Sequence, residues 1–133
     1  QVNPRKVYPV DTGLIALFDR SGKPNTGHAL EVAVLHTLLR SGAQVGYVLT
    51  PAGYEVDFHA ALPSGEQWLV QVCLDLGDSA TLQREVRALQ DARQQWPQAR
   101  CLLVAQQVPP TVALPPGIEL HRASHWLLEG GPS

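Results

Sequence analysis

The side chains of this chain best placed to do chemistry lie in two neighbouring stretches, Gly53-Tyr54-Glu55-Val56-Asp57-Phe58 and Trp68-Leu69-Val70-Gln71-Val72-Cys73. Both alternate in the manner of β-strands, so successive residues belong to opposite faces. Tyr54, Val56, Phe58, Ala60 and Leu62 fall on one face, with Trp68, Val70, Val72 and Leu74, and this apolar set is expected in the core. Glu55, Asp57 and His59 fall on the other, with Gln67, Leu69, Gln71, Cys73 and Asp75. Carboxylates, imidazole, carboxamide and thiol on one surface are the groups from which acid–base and ligand-binding sites are made.

Register decides whether these groups meet. A turn of odd length places Asp57 across from Gln71 and Glu55 across from Cys73, whereas an even one separates the two sets. The plain alternative is a hairpin that shows water its polar side. A third residue bears on the choice. Around the helical wheel of residues 26–40, Leu30, Val32, Val34, Leu35, Leu38 and Leu39 cover one broad arc, and Glu31 falls inside it. His36 and Arg40 mark the solvent side. A carboxylate within a core-facing stripe is costly unless something satisfies it. Either its place near the helix N-terminus provides that, through the dipole and free amides, or Glu31 faces the same pocket as Asp57.

The elements around these residues are legible. Val2–Asp11 reads as an extended entry broken by Pro4 and Pro9, Thr12–Phe18 as a short helix and Ser21–Asn25 as a loop. Thr26–Arg40 is a helix stopped by Ser41-Gly42. Strands follow at Gln44–Thr50, Tyr54–Leu62 and Gln67–Asp75, with turns at Pro51-Ala52-Gly53 and Pro63-Ser64-Gly65-Glu66. Asp78 or Ser79 caps a second helix running to about Gln95, with Leu82, Val86, Leu89 and Trp96 as its stripe. Arg100–Ala105 reads as a buried strand, Ile118–His121 as an edge strand beyond a Pro-rich bridge, and Ser124–Glu129 as a last helical turn. The order helix, three-strand meander, helix, strand predicts an α/β sandwich: a mixed sheet of about four to five strands flanked by helices, its last pair parallel through a crossover.

Composition bounds the function. At 133 residues the chain is expected to form a single domain, residues 1–133, with 44% hydrophobic and 17% charged residues. No apolar run is long enough to cross a bilayer and no signal-peptide pattern opens the chain, so no membrane partner is expected. With no Met in the chain, residue 1 is expected to be an excision boundary rather than a natural start. Cys73 and Cys101 read as buried reduced thiols of a cytoplasmic protein. Net charge −2, with lysine only at positions 6 and 23, argues against strong non-specific nucleic-acid binding.

The chain nevertheless resembles a family. Asn3-Pro4-Arg5-Lys6-Val7-Tyr8-Pro9-Val10-Asp11-Thr12-Gly13-Leu14, Ala29-Leu30-Glu31, Gly53-Tyr54-Glu55-Val56-Asp57-Phe58 and Leu69-Val70-Gln71-Val72-Cys73 are similar to the C-terminal domain of unknown function carried by many prokaryotic AAA-type ATPases. That domain is of the PD-(D/E)xK nuclease-like superfamily. The resemblance covers nearly the whole chain and is most specific in the opening stretch and the hairpin. It implies a restriction-endonuclease-like fold, attachment to the C-terminus of a larger ATPase, and DNA as a candidate partner. It also implies a site in which Glu31 and Asp57 match the carboxylates that hold Mg²⁺ or Mn²⁺, with Gln71 at the position of a glutamate and Cys73 at that of a lysine.

Both departures weaken such a site. Gln71 keeps a carbonyl oxygen but removes a negative charge, and Cys73 cannot replace a fixed ammonium or serve Mg²⁺ as a good ligand. Arg84 or Arg87 would be needed to lend a cation, and a Zn²⁺ site of Asp57, His59 and Cys73 lacks a compact ligand motif. His121 and His125 lack a third partner, and Ser21-Gly22-Lys23 is not a P-loop. The expectation is therefore a nuclease-derived domain with a degenerate site at Glu31, Asp57, Gln71 and Cys73, binding or regulatory in role. The rivals are an active metal-dependent nuclease with a variant site and a protein-interaction module.

Overall fold

The computed structural model of the chain describes residues 6–9 and 26–132. The short helix expected at Thr12–Phe18 and the loop at Ser21–Asn25 lie outside the described residues. In order, the elements are β1 (Lys6–Pro9), α1 (Thr26–Arg40), β2 (Gln44–Leu49), β3 (Glu55–Ala61), β4 (Gln67–Asp75), α2 (Ser79–Arg93), β5 (Arg100–Gln107), β6 (Ile118–Arg122) and α3 (Ala123–Leu128).

The six strands form one sheet in the order β1-β2-β3-β4-β5-β6. The first four are antiparallel to their neighbours, whereas β4–β5 and β5–β6 are parallel. Four to five strands were expected, and the sixth is β1, inside the stretch anticipated only as an extended entry. Its partner β2 is more than thirty residues downstream, at Lys6↔Leu49 through Pro9↔Gly46, so no local signal announces the pairing. The β4–β5 pair is parallel, an arrangement that the intervening helix allows.

Helices cover both faces of the sheet. Leu30, Val34, Leu35 and Leu38 of α1 pack with Ala123 and Trp126 of α3 on Phe58, Ala60, Trp68, Val70, Val72, Leu102 and Val104. On the other face Ala88, Leu89 and Ala92 of α2, with Trp96 beyond it, pack on Val48, Val56, Leu69, Cys73, Cys101, Leu103 and Ala105. Asp78 caps α2 through its Oδ1, which accepts from the Ala80 N–H at 3.0 Å. In α1 the wheel places the core correctly except at its rim. Leu39 stays 37% exposed, while Thr37 is buried by returning its hydroxyl to the Ala33 carbonyl at 2.9 Å.

One expectation about the hairpin faces fails, and so does the plain alternative. First, Tyr54 and Val56 do not share a face with Phe58. They belong to the α2-side core and Phe58 to the α1-side core. The cause is a β-bulge: Gly46 pairs with His59 and Val48 with Val56, so Asp57 and Phe58 oppose Tyr47 alone and the alternation slips by one residue. Second, the face carrying Leu69, Gln71 and Cys73 is not a solvent face. These residues are buried beneath α2, with Gln71 only 1% exposed.

Candidate functional site

The turn between β3 and β4, residues 62–66, has five residues, closed by the Leu62 N–H on the Glu66 carbonyl at 2.9 Å. That odd length produces the register Ala61↔Gln67, Ala60↔Trp68, His59↔Leu69 and Phe58↔Val70. Continued by one step, it would pair Asp57 with Gln71. The ladder stops there instead, because the bulge has turned the Asp57 backbone away.

Side chains close the opening. The Asp57 N–H donates to Gln71 Oε1 at 2.9 Å, and Gln71 Nε2 donates to the Glu55 carbonyl at 3.1 Å, with the Glu85 carbonyl a longer contact at 3.5 Å. In return, Asp57 Oδ2 accepts from the Val72 N–H at 2.7 Å. Both ends of the Gln71 amide are thus engaged by main chain, and its oxygen faces a backbone donor.

Three carboxyl groups from three elements feel one another at this opening: Glu31 of α1, Asp57 of β3 and Glu85 of α2. Burial, then the nearby negative charge of Glu31, pushes the Asp57 carboxyl well above the usual carboxylate range, against the opposing pull of the Val72 N–H. Glu31 is raised by burial and partly relieved by His28. Glu85 is raised by burial and by Glu31, and eased by Arg84, whose guanidinium lies 3.9 Å from it. The negative charge of Glu31 is thus felt at Asp57, while Glu31 itself answers foremost to its own burial and to His28.

Glu85 was missed, although a signal pointed to it. It sits on the α2 wheel between Leu82, Leu89 and Ala92, inside the apolar stripe, which is the pattern that singled out Glu31. Arg84 does reach the rim of the cluster through Glu85, while Arg87 lies over the Tyr54 ring, 5.8 Å from its centroid.

The remaining candidates separate. Cys73 donates its thiol to the Asp75 carbonyl at 3.4 Å, and burial foremost raises its pKa, so it is a neutral packed thiol. His59 hydrogen-bonds Gln67 at 2.8 Å and stacks on Trp96 with ring centroids 4.8 Å apart, away from a Zn²⁺ cluster with Asp57 and Cys73. His121 meets Glu119 and His125 meets Glu129, so those two histidines do not combine.

The donor set does not fit a divalent cation. Among the described residues, no group of three His, Cys, Asp or Glu side chains is gathered to hold a metal ion. Gln71 Oε1 and Asp57 Oδ2 each accept a backbone N–H, which orients both side chains toward the main chain. Burial foremost raises the pKa of both Glu31 and Asp57, the expected Mg²⁺ or Mn²⁺ ligands.

Fold and site together define an α/β sandwich whose mixed sheet is pinned open beside a buried acidic cluster. No family model, no curated protein and no solved structure matches the chain. No helix among the described residues is long and apolar enough to cross a membrane.

Proposed function

We propose that the chain is a nuclease-derived domain of the PD-(D/E)xK, restriction-endonuclease-like type, serving as a non-catalytic binding or regulatory module of a cytoplasmic AAA-type ATPase. The succession α1, β2–β3–β4 meander, α2 and parallel β5 supports this ancestry. So does the meeting of the helical Glu31 with Asp57 beside a break between the second and third meander strands. Two buried free thiols fit a reducing compartment.

The observation that carries the non-catalytic reading is the Gln71 amide. A residue whose oxygen and nitrogen are both engaged by the main chain is a fastener between strands, held in place for that role rather than for gripping a cation. Cys73 supplies no positive charge to the cluster, and a phosphodiester transition state needs one.

The test is incubation of the chain with single- and double-stranded DNA in Mg²⁺ or Mn²⁺, beside calorimetric titration of each metal. No cleavage and no saturable metal binding is the expected result. Cleavage abolished by Asp57→Ala would overturn the proposal and reinstate an active nuclease. Electrophoretic binding of the same DNA sorts the role: tight, salt-dependent binding marks DNA as the partner, and its absence marks a protein partner such as the ATPase.

A further inference from the structure

The two edges of the sheet are unlike. β1 ends in Pro9, which has no backbone N–H to offer a further strand. β6, Ile118–Arg122, pairs with β5 on one side and, among the described residues, with no strand on the other. It contains no proline or lysine, and its register with β5 runs from Cys101↔Ile118 to Ala105↔Arg122 without a bulge. An edge lacking these protections is a template for another strand.

Among the described residues, the segments flanking β6 pack on the faces of the sheet. Val108 and Leu114 of the Pro-rich connection pack into the α2-side core, and among the described residues its backbone tie to β6 is the turn bond from the Ile118 N–H to the Pro115 carbonyl. Ala123 and Trp126 of α3 pack into the α1-side core.

We propose that β6 is a self-docking edge, pairing antiparallel with β6 of a second copy of this chain about a twofold axis at Leu120. The strand is self-complementary in that register. Glu119 stands opposite His121 of the second copy, twice by symmetry, and the half-buried Leu120 meets its own counterpart. Glu119 is already fixed in place by Arg100, at 2.9 and 2.6 Å, and lies 3.2 Å from its own His121. These two side chains are therefore ordered before the copies meet, which lowers the entropic cost of pairing. Ile118 would face Arg122, whose exposed stem can cover it.

Sedimentation of the 133-residue chain over a range of concentrations tests this, with circular dichroism to confirm that each variant is folded. A reversible monomer–dimer equilibrium is expected, weakened by roughly tenfold in His121→Glu, which sets like charges across the axis. Under oxidation, Leu120→Cys should form covalent dimers and Arg122→Cys should not, because only position 120 faces itself; the native Cys73 and Cys101 are buried. A chain that stays monomeric throughout overturns the proposal. So does a dimer indifferent to His121→Glu, or equal cross-linking at positions 120 and 122.

Discussion

Asp57 and Gln71 each bind the strand that carries the other: the Asp57 N–H reaches Gln71 Oε1 at 2.9 Å, and Asp57 Oδ2 takes the N–H of Val72 at 2.7 Å. Reciprocal side-chain bonds thus replace the ladder where β3 and β4 part. They satisfy main-chain groups that the bulge would otherwise leave buried without partners.

Substitutions at position 71 should expose this role. Gln71→Leu keeps the volume but strands the Asp57 N–H and the Glu55 carbonyl, and the expected loss is roughly 2–4 kcal/mol. Gln71→Glu still accepts from Asp57 but turns an acceptor toward the Glu55 carbonyl and adds a fourth acid to the cluster. It should also destabilise, more at pH 8 than at pH 5. Urea denaturation at both pH values measures the two effects, and unchanged midpoints for both variants would rule out the fastening role.

The acidic cluster gives stability a pH dependence of definite sign. The folded-state pKa of Asp57 is raised, so the native state holds its proton more tightly than the unfolded chain does. Its contribution is whole below the unfolded carboxylate range, near 4, and is lost as pH rises through the folded pKa. Glu31 and Glu85 act in the same direction. Asp57→Asn, which can still accept from Val72, should therefore gain melting temperature relative to the natural chain as pH rises. Parallel melting curves from pH 5 to 8 would contradict this.

At the opposite end of the sheet, Arg100 stacks over Trp68, 4.4 Å from its ring centroid, and joins Glu119 of β6 to Glu66 of the β3–β4 turn. These groups are partly solvated, so screening limits their worth. Arg100→Ala should cost about 1 kcal/mol, part of it stacking that salt does not remove. A double-mutant cycle with Glu119→Gln at low and high salt separates the two shares. A zero coupling energy at low salt would contradict the paired geometry.

Both thiols should be unreactive in the native chain. Cys73 and Cys101 are buried, and burial raises each pKa, so neither access nor thiolate is available. Labelling with a thiol reagent should be slow in buffer and complete in denaturant. Rapid native labelling of Cys73 would mean that the region beneath α2 opens readily.

Much of the fold was legible because local rules suffice for it. The stripes of α1 and α2, the Asp78 cap, the odd turn and the crossover to β5 all follow from periodicity and spacing. Glu31 was legible for the same reason, and Glu85 could have been. The slip between Val56 and Phe58 was not, since a bulge is set by the partner strand, and Gly46–Val48 of β2 imposes it. Nor was the burial of Gln71, which depends on α2 closing over a face that strand alternation marks only as polar.

By itself, the sequence determined which elements form, their order, and that Glu31 needs a special setting, because apolar periodicity leaves a carboxylate in a stripe few places to go. Only the tertiary structure decided what those residues do. Whether Gln71 faces a cation or a backbone N–H depends on a one-residue register slip between strands distant in the chain. Such a slip costs little in pattern and redirects every side chain beyond it.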